Sequence, residues 1–74
     1  MEKVTKTIKE LKDLIYSVPI PPNWREGQFV FNRVEELFGN VARQVQFKDG
    51  IDCFYNDSKI DTFILHVYKR LRSS

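Results

Sequence analysis

Seventy-four residues make a single domain, residues 1–74, and at that size folding takes only about 60% of the unfolded surface out of water, so the core must be efficient. Six Phe, three Tyr and one Trp supply that core and argue against disorder. The single cysteine, Cys53, excludes an internal disulfide, and no apolar run approaches the roughly 18 residues of a bilayer-spanning helix. Without a short apolar stretch behind a basic start, the expected location is the cytoplasm and no membrane partner is expected.

Twelve Lys and Arg against ten Asp and Glu leave a net charge of +2. It is unevenly placed. Lys3, Lys6, Lys9 and Lys12 outnumber Glu2, Glu10 and Asp13 near the start, and Lys59, Lys69, Arg70 and Arg72 outnumber Asp61 at the end. The middle is acidic. Such asymmetry can steer a charged partner, and it also suits a small protein that avoids self-association.

Val4, Ile8, Leu11 and Ile15, with Leu14 and Val18 beside them, form one apolar stripe of a helix over about 4–17. Pro19, Pro21 and Pro22 end it, because proline lacks an N–H and pushes its predecessor out of α geometry. A second helix is expected from about Trp24, with Asn23 as N-cap and Glu26 completing a capping box. Val30, Val34 and Leu37 line its inner face, and Gly39 suits its left-handed end.

The segment 41–55 has two readings. Val41, Arg43, Val45 and Phe47 alternate like a strand before Asp49-Gly50, which suggests a small hairpin and an α+β domain. Alternatively, Asn40 caps a short helix near 40–49 that ends at Gly50, with Ile51 folding back. The helix is preferred, since an isolated two-stranded ribbon is marginal and three neighbouring helices already agree with one another. A final helix follows Asn56-Asp57-Ser58, with Ser58 and Asp61 as capping box and Ile60, Phe63, Ile64, Val67 and Leu71 as its stripe. The expected fold is all-α, a three-helix domain with a short extra helix.

Catalytic chemistry has few candidates. His66 and Cys53 cannot between them make a zinc site, which needs three or four ligands. Cys53 within an aromatic run reads as a small buried hydrophobe rather than a nucleophile. Asp49, Asp52, Asn56, Asp57 and Asp61 lack the spacing of a calcium loop, and Asn56, Asp57 and Asp61 read as helix caps. The expectation is a non-enzyme with no cofactor and no metal.

Binding has two candidate surfaces. Trp24, Arg25, Gln28, Asn32 and Tyr55 form a polar and aromatic set of the kind enriched at interface hot spots. Gln28 and Asn32 could equally be a structural pair four residues apart on one helix. On the last helix, Lys59, His66, Lys69, Arg70 and Arg72 offer a basic flank for nucleic acid, or simply a solvated face at the favourable end of a helix dipole. Leu65 and Tyr68 lie off the apolar stripe, so either a monomer or a homodimer is compatible with the sequence.

Trp24, Arg25, Gly27, Gln28, Phe31 and Asn32, followed by Asp52, Phe54, Tyr55 and Asp57, give a pattern W-R-x-G-Q-x-x-F-N and D-x-F-Y-x-D. The chain thereby resembles a set of small bacterial and phage or mobile-element proteins, over roughly residues 22–65. The resemblance implies no catalytic activity or cofactor. A compact charged domain without catalytic groups has its surface as its only tool, so the expected function is a binding protein that masks or remodels a larger protein or ribonucleoprotein. The resemblance makes an anti-CRISPR-type inhibitor of a host defence nuclease a concrete form of it.

Overall fold

The computed structural model describes residues 7–73. Four helices carry the all-α fold: α1 (Ile8–Ile15), α2 (Glu26–Phe38), α3 (Val41–Phe47) and α4 (Ile60–Ser73), with a 3-10 turn at Asp57–Lys59 leading into α4. No strand occurs among the described residues. The segment that admitted a hairpin is therefore the short helix α3, and Ile51 N–H folds back onto Val45 O at 3.2 Å once Gly50 has turned the chain at φ +72°.

Helix α1 begins where Thr7 Oγ1 accepts the Glu10 N–H. Val4, Lys3 and Lys6, which belonged to the expected helix, lie outside the described residues. Leu11 and Ile15 are fully buried, as the stripe required.

Two expected caps are corrected, and a third stands in place without its side-chain bond. Trp24 N–H donates to Pro21 O, closing a turn in which Pro22 takes the position whose φ proline already has. That turn uses Asn23 and Trp24, leaves Arg25 extended as N-cap without a side-chain bond, and delays α2 to Glu26. The capping box of Asn23 and Glu26 therefore does not form. At α4 the cap is Asn56 rather than Ser58, its Oδ1 accepting from both Ser58 N–H and Ser58 Oγ–H. Asn40 does stand before α3, but in helical geometry and with no side-chain bond.

Helix α4 is the centre of the fold and packs on each of the other three. Its stripe of Ile60, Phe63, Ile64, Val67 and Leu71 is buried together with Leu11, Ile15, Val30, Val34 and Val45. Each such side chain contributes about 1.5–3 kcal/mol when fully buried. No helix among the described residues is long and apolar enough to cross a membrane.

A candidate partner-binding face on the second helix

The two polar-aromatic clusters of the sequence meet in space. Gly27, in the first turn of α2, is pressed against the segment 53–57: a Cβ there would overlap the Cys53 carbonyl oxygen. Gly27 N–H, unpaired within its own helix, donates to Asp57 Oδ1 at 3.0 Å. The α2 N-terminus is thus capped by a carboxylate thirty residues away, where it also complements the positive end of the helix dipole. Cys53 Sγ in turn donates to Gly27 O at 3.4 Å, and Arg25 reaches Tyr55 O at 3.3 Å. Phe54 stands edge-on to Phe31, ring centroids 5.6 Å apart, and Phe31 continues to Phe63 at 5.7 Å. Arg25, Gly27 and Asp57 therefore have a structural task, which is to dock the 53–57 segment on α2.

Tyr55 packs its ring edge-on against Phe54, centroids 4.7 Å apart, whereas the side chains of Gln28 and Asn32 have no such bond among the described residues. At 100° per residue, Gln28 and Asn32 lie on the ridge of α2 that turns away from buried Val30 and Val34. Both are half-buried, yet among the described residues neither carboxamide has a hydrogen-bond partner. On one flank of this ridge stands Tyr55, 73% exposed; on the other stands Trp24, 40% exposed. Trp24 and Phe29 wall a groove of about 200 Å³, closed on the far side by Val18, Pro19 and Pro21. Asn32, Arg33 and Glu36 complete its lining. The groove lies where the proline linker crosses from α1 to α2, so that Pro19 and Pro21 line it together with Trp24.

Arg33, which the sequence did not single out, fixes that linker. Its side chain is only 12% exposed. The guanidinium donates to Ile15 O and Leu14 O at 3.0 Å each and to Ser17 Oγ at 3.1 Å. It thereby caps the carbonyls at the end of α1, where Leu14 O also accepts from the Ser17 hydroxyl at 2.8 Å. Its remaining arm meets Glu36 at 3.0 Å. The available signal was its spacing: Arg33 follows Phe29 by four residues and shares its inward-leaning flank. Beside them Tyr16 donates to Glu26 Oε2 at 2.8 Å, and burial together with that carboxylate raises the phenol's pKa.

The basic flank of α4 is only partly available. Arg70 forks onto Asp49 at 2.7 and 3.1 Å, and His66 Nδ1 lies 3.2 Å from the same carboxylate. Arg70's hydrogen bond holds Asp49 below the usual carboxylate value, against partial burial, with His66 helping. Arg72 lies over the Tyr68 ring at 5.7 Å. Lys59 and Lys69 are exposed. The flank expected to meet phosphates thus includes an ion pair that ties α4 to the end of α3.

Cys53 is fully buried, and burial pushes its thiol up to about 12, with Asp52 and Asp57 adding to the effect. Thiolate is therefore scarce at neutral pH. The thiol is turned to Gly27 and the imidazole to Asp49, so the two do not form a nucleophilic pair. Among the described residues no three His, Cys, Asp or Glu side chains gather as a metal site would need. Asp52 Oδ1 instead accepts Phe54 N–H, and Asp61 faces Lys12 of α1 at 3.6 Å.

No protein-family model, curated protein or solved structure matches the chain.

Proposed function

We propose that the protein is a non-enzymatic binding module that engages a larger protein or ribonucleoprotein through the outer ridge of α2. One observation carries this reading: Gln28 and Asn32 are half-buried residues whose carboxamides bond to none of the described residues, between an exposed indole and an exposed phenol. A carboxamide with no bond inside the fold keeps its donors and acceptor for a ligand that supplies the matching groups. Trp and Tyr on either side are the residue types that anchor interfaces, because each offers large apolar area with few rotamers to freeze. Masking a cytoplasmic nuclease is one form such binding takes, and the resemblance carried by Trp24, Gln28 and Asn32 favours it. The nucleic-acid reading is weaker, because Arg70 already spends its charge on Asp49.

The test is affinity capture from host lysate in nuclease-treated and untreated arms, comparing the full chain with the Gln28→Ala/Asn32→Ala double variant. One protein or ribonucleoprotein should be retained by the wild type, resist raised salt and be lost from the variant. Retention of nucleic acid alone, with an affinity falling steeply with salt, would overturn the reading. Equal capture by both proteins would also overturn it.

A further inference from the structure

The geometry points to a peptide-reading pocket within that face: the groove between the proline linker and α2 takes one bulky aliphatic or aromatic side chain of an extended partner segment that carries Lys or Arg next to it. This rests on the proposed binding function and names the chemistry of its partner.

The groove's volume of about 200 Å³ suits a single large side chain, not a helix or a folded surface. Its walls are Val18, Pro19, Pro21, Trp24 and Phe29, so the group it accepts must be apolar. Three of the protein's exposed large hydrophobics, Val18, Ile20 and Trp24 at 43, 38 and 40%, fall within this one linker. The linker is not a loose cover. Arg33 holds its start through Leu14, Ile15 and Ser17, and the turn from Pro21 to Trp24 holds its end. A pocket fixed at both ends loses little freedom when it is filled.

Two polar groups at the groove select what surrounds the anchor. The carboxamide of Asn32 presents one donor and one acceptor side by side, which complements the C=O and N–H of a peptide unit. Nothing among the described residues occupies it. The charge that an occupant meets is negative, although the groove holds a balanced ion pair. Arg33 is 12% exposed and turned onto α1, whereas its partner Glu36 is 71% exposed. A cation next to the anchor is therefore attracted and an anion repelled, by the modest amount typical of solvent-exposed pairs.

The probe is acetyl-Gly-Lys-Leu-Lys-Gly amide, titrated into the full chain and followed by the fluorescence of Trp24 and by the backbone and side-chain amide signals of Asn32. Controls replace both lysines by glutamate, or the leucine by glycine. Saturable binding in roughly the millimolar range is expected for so small a ligand, centred on Trp24, Phe29 and Asn32. The glycine control should abolish it. The glutamate control should weaken it by roughly threefold to tenfold, a size set by exposed charge pairs. Glu36→Lys, checked for its fold by circular dichroism, should invert the preference between the lysine and glutamate peptides, and Asn32→Ala should weaken both.

Absence of saturable shifts, shifts centred elsewhere, or equal affinity for the two charged peptides would overturn the proposal. Concentration-dependent shifts of the same signals without peptide would place a second copy in the groove and overturn it as well. Failure of the peptide while the Gln28→Ala/Asn32→Ala variant still loses its captured partner would leave the binding face standing without this pocket. Failure of both would remove the face itself.

Discussion

At the scale of single residues, Gly27 has a structural task that only glycine fits. A glycine inside a helix normally costs about 0.5–1 kcal/mol relative to alanine, so replacing it should stabilise. Here the sign reverses, because the added methyl would overlap the Cys53 carbonyl oxygen and crowd Asp57 Oδ1. Backbone atoms cannot swing aside as a flexible side chain can. Gly27→Ala is expected to lose about 1–3 kcal/mol, the usual penalty of overpacking, in urea denaturation. A neutral or stabilised variant would show that the 53–57 segment is not docked on α2 as described. Asp57 belongs to the same contact. Its carboxylate supplies the cap that Arg25 does not.

Among the elements, the helix ends are closed largely by residues from other elements. Arg33 of α2 closes the end of α1, Asp57 closes the start of α2, and Asp49 after α3 is clamped by Arg70 and His66 of α4. The last contact has a pH dependence with a definite sign. Arg70 lowers Asp49 below its ordinary value of 3.8, so the clamp's contribution is complete above that value and is lost as pH falls through the lower, folded-state pKa. In urea melts, the stability gap between wild type and Asp49→Asn should be open at about pH 5 and close as the pH is lowered below about 4. A gap that stays the same, or widens in acid, would contradict the clamp.

These long-range caps explain what the sequence could and could not convey. Periodicity located α2 and α4 and the core of α1, because Leu11, Ile15, Val30, Val34, Phe63, Ile64 and Val67 repeat at the spacing that burial demands. By contrast, α3 alternates like a strand and reads as a helix on its end signals and its agreement with the neighbouring helices. Local capping rules failed at α2 and α4. The α2 start was displaced by the turn through Pro22, and the donor at Gly27 found its acceptor thirty residues away. No local rule can see such a pairing.

For the molecule as a whole, the two signature clusters were legible as a unit of sequence, whereas their division of labour was not. Arg25, Gly27 and Asp57 build the joint between α2 and the 53–57 segment, while Trp24, Gln28, Asn32 and Tyr55 are left on its surface. The basic flank looked uniform in sequence because nothing local revealed that Arg70 and His66 would meet Asp49. Arg33 was missed for a similar reason: an arginine on an amphipathic helix reads as solvated until its acceptors, the α1 carbonyls, are in place.

In the proposed function, Gln28 and Asn32 serve recognition and not the fold. That assignment is tested most directly by chemical denaturation of the Gln28→Ala/Asn32→Ala variant, which needs no knowledge of the partner. Since neither carboxamide bonds within the described residues, stability should stay within about 0.5 kcal/mol of wild type. A loss of about 1.5 kcal/mol or more, the size of a broken buried hydrogen bond, would place the pair in the fold and contradict the account.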